Sequence, residues 1–78
     1  MQAEYTPREL ELLIRHEVEK AGLDPKGLRI QIRRMGSAWE PVCHFAETRD
    51  WDDREKGAVA GLVAEIGRVL APEHTLIG

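Results

Sequence analysis

The side chains suited to metal binding do not have the spacing of a metal-ligand motif. The candidate ligands are His16, Cys43, His44, His74, Asp50, Asp52 and Asp53. Cys43 and His44 are neighbours, and neighbours in a strand point to opposite faces, so they are poorly placed to share one ion. The aspartates lack the glycine and the distal glutamate of a calcium loop. The chain also contains no CxxC, HxxxH or HExxH motif, so we expect no metal and no cofactor.

The candidate nucleophiles have structural explanations. Cys43 is expected to face the core, where burial tends to raise the pKa of a thiol. Ser37 lies in a predicted turn and Thr6 in a predicted helix cap, so each hydroxyl group has a structural role. The chain has neither a GxSxG elbow nor a GxxxxGK phosphate loop. We therefore expect a protein that is not an enzyme.

Three of these candidates, Ser37, Cys43 and His44, lie in a segment that is predicted to form a β-hairpin. Apolar and polar residues alternate along its first strand, with Leu28, Ile30 and Ile32 on one face and Arg29, Gln31 and Arg33 on the other. Gly36-Ser37 predicts a two-residue type II′ turn between strands at about 28–34 and 39–46. Folding the chain there gathers the large apolar residues on one face, and a slip of one residue would scatter them.

This turn predicts the pairing of the two strands residue by residue. On the outer face it places Arg33 opposite Glu40, Gln31 opposite Val42, and Arg29 opposite His44. On the inner face the predicted pairs are Arg34–Trp39, Ile32–Pro41, Ile30–Cys43 and Leu28–Phe45. The missing N–H of Pro41 should point away from the first strand and hinder a third strand there. We therefore expect a two-stranded sheet in which the edge of the first strand is open.

The first helix is predicted over about residues 7–21. Thr6 and Glu9 have the spacing of a capping box, and Pro7 suits the first helical position. Gly22 is a plausible end of the helix. Glu11 and Arg15 are expected to pair with each other on the outer side of this helix.

The second helix is predicted over about residues 53–70, capped by Asp50 or Asp52 and ended by Pro72. Its apolar face, including Val69, should pack on the hairpin. Beside that face runs a stripe of small residues that would allow close contact with another helix: Gly57, Ala60, Ala64, Gly67 and Ala71. That other helix could belong to the same chain or to a second copy. The tail, residues 73–78, is expected to be loosely held, although Leu76 and Ile77 could dock.

The predicted fold class is α+β, a single domain over residues 1–78 in the order α-β-β-α. Both helices lie on one face of a two-stranded antiparallel hairpin, which becomes four-stranded if two copies pair edge to edge. The predicted core consists of Leu10, Leu13, Ile14, Val18, Leu28, Ile30, Ile32, Cys43, Phe45, Val59, Leu62, Val63, Ile66 and Leu70.

Size and composition limit the functional classes. A chain of 78 residues buries only a thin core, and its one cysteine cannot form an internal disulfide. A lone cysteine favours a reducing compartment, so we expect a cytoplasmic protein. No apolar run approaches the roughly 20 residues of a membrane span, and we expect no membrane partner. The net charge of −3 gives no general attraction to nucleic acid.

Two functions fit these observations. The first is a protein-interaction module, a homodimer or a subunit of a larger assembly, whose surface comprises Arg29, Gln31, Arg33, Arg34 and His44. The second is a small nucleic-acid-binding protein that uses the outer face of the hairpin, with Trp39 available to stack on a base. A pair between Arg33 and Glu40, and Arg34 lying over Trp39, would instead give these residues purely structural roles.

Overall fold

The computed structural model describes residues 3–36 and 38–77. The elements in chain order are β1 (Ala3–Tyr5), α1 (Pro7–Lys20), β2 (Leu28–Met35), β3 (Ala38–Phe45), α2 (Asp53–Leu70) and β4 (His74–Leu76). The α+β class is confirmed, and the predicted α-β-β-α series is flanked by two three-residue strands. Its four elements begin and end within one residue of the predicted bounds.

The hairpin has the register predicted from its turn. β2 and β3 pair antiparallel from Leu28 opposite Phe45 to Met35 opposite Ala38, and every predicted pair occurs. They form a two-stranded sheet of their own. Gly36 has φ +61°, in the left-handed region that favours glycine. The type of the turn depends on Ser37, which lies outside the described residues.

The capping box and the apolar stripe of α1 form as predicted. The hydroxyl of Thr6 accepts a hydrogen bond from the backbone N–H of Glu9 at 3.2 Å, and the Glu9 carboxylate accepts one from the N–H of Thr6 at 3.0 Å. The helix ends at Lys20, and Gly22 follows with φ +88°. Its buried side chains, Leu10, Ile14 and Val18, hold α1 against β2.

The predicted apolar face of α2 packs on the core except at Val69. Asp52 caps the helix by accepting the N–H of Glu55 at 2.7 Å, and Val59, Val63 and Gly67 are the buried residues. The expectation that Val69 packs on the hairpin is wrong, because its side chain is 65% exposed. Val69 lies about 120° around the helix from Val63, on the side turned away from β3. Gly67, a small residue, faces the sheet and packs against Pro41.

Residues 74–77 of the tail pair with the start of the chain, which corrects the expectation of a loose tail, and Leu76 docks as the alternative allowed. Residues 74–76 form β4, which pairs parallel with β1 so that Tyr5 lies opposite Leu76. The N–H of Ile77 continues this pairing by donating to the carbonyl of Tyr5 at 2.9 Å. The indole N–H of Trp39 donates to the carbonyl of His74 at 2.7 Å and so ties β4 to the hairpin.

All predicted core residues belong to the observed core or pack against it. Leu10, Ile14, Val18 and Val63 are fully buried. The structure adds residues that the sequence pattern did not select: Trp39, Trp51 and Leu76 are buried, and Tyr5, Leu23 and Ala71 are partly buried.

Candidate interaction surface

Four of the residues proposed as an interaction surface lie on the outer face of the hairpin: Arg29, Gln31, Arg33 and His44. The fifth, Arg34, lies on the inner face, opposite Trp39. All five are exposed. The amide oxygen of Gln31 lies 2.9 Å from Nε2 of His44, a hydrogen bond across the two strands. Arg33 and Glu40 form the predicted pair at 3.9 Å, but both side chains are largely exposed, so this pair contributes little to stability.

Trp39 is not part of that surface. Only 5% of it is exposed, and its indole N–H is bonded to the carbonyl of His74. The expectation that Trp39 could stack on a base is therefore wrong. Trp39 faces the core because residues at even positions in the first strand, and their partners in the second, point inward.

The outer edge of β2 presents backbone groups at alternate residues. Because Met35 and Ala38 close the two-residue turn, the residues whose N–H and C=O point away from β3 are Leu28, Ile30, Ile32 and Arg34. An edge of this kind attracts another strand unless it is covered or blocked. The partners of these backbone groups therefore decide whether the edge can be used.

Side chains of α1 cover one half of this edge. The guanidinium of Arg15 donates to the carbonyl of Leu28, and the carboxylate of Glu11 accepts from the N–H of Ile30 at 3.4 Å. The N–H of Leu28 donates to the carbonyl of Pro25 at 2.9 Å. The expectation that Glu11 and Arg15 pair with each other on the outer side of the helix is therefore wrong. The same spacing lets both side chains reach down to the strand, where backbone groups need partners.

A groove of about 660 Å³ lies along residues 29–32 of this edge. Pro7, Arg8 and Glu11 of α1 form one wall of it, and the sheet side is lined by Arg29, Ile30, Gln31, Ile32 and His44. Within residues 3–36 and 38–77, no side chain bonds to the outward N–H or C=O of Ile32. The groove thus reaches from the contact of Glu11 with Ile30 to the edge at Ile32.

The small-residue stripe of α2 does not act as one contact. Only Gly67 is buried, where an added Cβ would lie 2.6 Å from Cδ of Pro41. An added Cβ at Gly57 would meet no atom within 4 Å. Ala60 and Ala64 are exposed and Ala71 is partly buried. Gly67 of the stripe therefore packs against β3 of the same chain, while its middle and N-terminal part face outward.

The residues considered for metal or nucleophilic chemistry remain apart. His16 and His44 are exposed, whereas Nδ1 of His74 donates to the carbonyl of Leu70 at 2.8 Å. Among the residues that the structure describes, no three or more His, Cys, Asp or Glu side chains are grouped to hold a metal ion. Burial raises the pKa of the Cys43 thiol, which lowers the fraction of reactive thiolate.

One arginine that the sequence analysis missed organises the loop before α2. The guanidinium of Arg49 donates to the carbonyls of Asp24 at 2.8 Å and Lys26 at 2.9 Å, and to the carboxylate of Glu55 at 3.1 Å. It also lies 3.9 Å from the ring centroid of Trp51. The available signal was an arginine two residues before a tryptophan, which is too common to predict this network. These contacts join the entry of β2 to the start of α2, a structural role.

Comparisons of the chain with protein-family models, curated proteins and solved structures gave no match. No helix in the described ranges is long and apolar enough to cross a membrane. The part of the β2 edge around Ile32 is the feature of the chain that bears most directly on function.

Proposed function

We propose that the protein is a non-enzymatic interaction module that associates through the outer edge of β2, as a homodimer or as a subunit of a larger assembly. The observation that supports this most directly is that only part of the β2 edge has hydrogen-bond partners within the chain. Contacts within the chain occupy the outward groups of Leu28 and the N–H of Ile30, whereas Ile32 opens onto a groove. Strand addition at such an edge gains main-chain hydrogen bonds, and neighbouring side chains give specificity.

Self-association is the simplest use of this edge. Two copies related by a two-fold axis perpendicular to the sheet would form one antiparallel sheet of four strands, with all the helices on the same face. A domain of 78 residues buries only about 60% of the surface of its unfolded chain, so a second copy adds burial that a thin core lacks. No disulfide within the chain supplies that stability, because it has a single cysteine.

Sedimentation equilibrium between about 1 µM and about 1 mM tests this function, since that range spans weak to moderate dissociation constants. We expect the mass to rise from 8.8 kDa towards twice that value. Ile32→Pro removes the outward N–H but no bond of the β2–β3 ladder, so a folded Ile32→Pro variant should stay monomeric. Ile32→Val is the matched control and should still associate. A native protein that stays at 8.8 kDa throughout would contradict a homodimer.

Nucleic-acid binding through the outer face of the hairpin is the alternative function. Exposed Arg29, Arg33 and His44 support it, while the burial of Trp39 removes its stacking residue and Glu40 lies beside Arg33. At about 50 mM salt, where phosphate contacts are strong, the native protein should then bind RNA or DNA, and Arg29→Ala with Arg33→Ala should abolish binding. Absence of binding by the native protein under these conditions would reject this alternative.

A further inference from the structure

We infer that the partner at the β2 edge is an extended acidic segment of another protein, which pairs with the edge at Ile32 as an added strand. This inference rests on the proposed function, in its form of a subunit of a larger assembly, and names the chemistry of the partner. It follows from the backbone groups at this edge, from the groove beside them, and from the charges that line the groove.

The backbone groups at this edge match those of a peptide chain. Ile32 directs both its N–H and its carbonyl away from β3, and Ile30 directs its carbonyl the same way. Within residues 3–36 and 38–77, no side chain and no loop backbone bonds to these three groups. An added strand offers them both donors and acceptors, whereas the phosphate groups of a nucleic acid offer no donor to a carbonyl. The edge therefore favours a peptide over a nucleic acid.

The groove beside these groups has room for one extended segment. Its volume is about 660 Å³, and Pro7, Arg8 and Glu11 of α1 form the wall that faces the strand. This volume lies within the range of about 300–1,000 Å³ that is typical of ligand sites. Because a strand rises about 3.3 Å per residue, a few residues of the partner are enough to follow the edge through the groove.

The charge that lines the groove is opposite in sign to that of the whole chain. The chain has a net charge of −3, but the groove is lined by two arginines, Arg8 and Arg29, and by one carboxylate, that of Glu11. Both arginines are exposed, and neither forms an ion pair with another described residue. The carboxylate of Glu11 already accepts from the N–H of Ile30 at 3.4 Å. Acidic side chains of a partner would therefore meet guanidinium groups that lack a carboxylate.

The alternation of side chains along a strand specifies the pattern of the partner. Side chains of an added strand alternate between the two faces of the sheet. Those on the inner face lie beside Ile32 and α1, where an apolar side chain adds burial. Those on the outer face lie next to Arg29 and Arg33, and Arg33 is held by Glu40 only in an exposed pair at 3.9 Å. The segment that fits therefore alternates apolar and acidic residues.

A synthetic peptide of about eight residues in which valine and glutamate alternate is the probe, titrated into isotope-labelled protein and followed by NMR. We expect the backbone amide signals of residues 29–33 to shift, and binding to weaken as salt rises from about 50 to about 500 mM. The matched peptide with lysine in place of glutamate should bind about tenfold more weakly or not at all. A glutamate peptide that is N-methylated at every amide keeps the charges but offers no donor, so it should not bind.

Substitutions in the protein test the residues that hold the peptide. Arg29→Gln with Arg33→Gln should weaken binding of the glutamate peptide about two- to thirtyfold. Arg54→Gln is the matched control, because it removes the same charge from an exposed position on α2, and it should change the affinity by less than about twofold. Ile32→Pro removes the outward N–H and should weaken binding, whereas Ile32→Val should not.

The inference is overturned if the glutamate peptide does not bind, if the lysine or N-methylated peptide binds equally well, or if the shifts lie only at other residues. A single-stranded oligonucleotide with as many negative charges that binds more tightly at the same amides would also overturn it, in favour of nucleic acid. If the glutamate peptide fails while the mass of the native protein doubles, the proposed function stands without the inference. A protein that neither binds this peptide nor rises above 8.8 kDa would overturn the proposed function as well.

Discussion

Gly67→Ala tests whether the distance between α2 and β3 depends on the absence of a side chain at this position. An added Cβ would lie 2.6 Å from Cδ and 2.8 Å from Cγ of Pro41, closer than real Cβ atoms come to other atoms. The ring of Pro41 is closed through the backbone nitrogen and Cα of β3, so it cannot rotate away as a flexible side chain would. Relief of the overlap therefore requires the helix or the strand to move.

The expected magnitude follows from two opposing terms. Alanine favours the helix interior over glycine by about 1 kcal/mol. Overpacking a well-packed contact costs about 1–3 kcal/mol. The net change for Gly67→Ala is thus a destabilisation of about 0–2 kcal/mol. Gly61→Ala in the same helix, where an added Cβ would meet no atom within 4 Å, should instead stabilise by about 1 kcal/mol.

The difference between these two variants isolates the overlap, because the helix-propensity term is common to both. We expect Gly67→Ala to be less stable than Gly61→Ala by about 1–3 kcal/mol in urea denaturation. For a domain of this size each kcal/mol corresponds to about 4–8 °C in Tm. Combining Gly67→Ala with Pro41→Ala should narrow the difference. If Gly67→Ala is as stable as Gly61→Ala, the close packing of α2 on Pro41 is refuted.

Three further predictions concern the contacts around the hairpin. Arg49→Lys removes the planar guanidinium that contacts two loop carbonyls, the Glu55 carboxylate and the Trp51 ring. It should lower the free energy of unfolding by about 1–3 kcal/mol in urea denaturation, and an unchanged free energy of unfolding would contradict a stabilising network. Trp39→Phe leaves the carbonyl of His74 without its donor, so amide protons of β4 should exchange faster, and unchanged rates would show that this bond does not hold the tail. Because burial raises the pKa of Cys43, the native thiol loses its proton only at higher pH; its alkylation at about pH 8 should be slower in the native than in the unfolded protein, and equal rates would contradict the shift.

The parts of the fold that the sequence predicts are those with a local signal. The alternation from Leu28 to Ile32 and the Gly36-Ser37 turn determine one register, because any other would expose the apolar face. The boundaries of α1 follow from the capping box at Thr6 and the glycine at position 22. In each case the signal and the structure it predicts lie within a few residues of each other.

The remaining parts depend on contacts between distant segments. The strands β1 and β4 are three residues long, too short for a periodic pattern, and they form only because the two ends of the chain meet. The close packing of Gly67 on Pro41 joins α2 to β3, and the spacing of apolar residues does not reveal it; that spacing also places the exposed Val69 on the buried face. Local sequence does not encode such tertiary contacts.

The same limit applies to the candidate site. The sequence predicts a sheet of two strands, and Pro41 hinders a third strand at the outer edge of β3. The edge of β2 is therefore the one that is predicted to stay open. The sequence does not reveal that Glu11 and Arg15 cover one half of the edge, because the i,i+4 spacing fits pairing between them equally well. The structure thereby reduces the candidate surface from the whole strand to the part around Ile32.

Amide hydrogen exchange at Ile32, followed as protein concentration rises, tests most directly whether the β2 edge is the association surface. The N–H of Ile32 points away from β3, so in the monomer it should exchange faster than the N–H of Gln31 in the β2–β3 ladder. We expect the exchange at Ile32 to slow as the mass doubles, while that of exposed amides elsewhere stays constant. If the mass doubles and the exchange at Ile32 does not change, the protein associates through another surface and the central claim is contradicted.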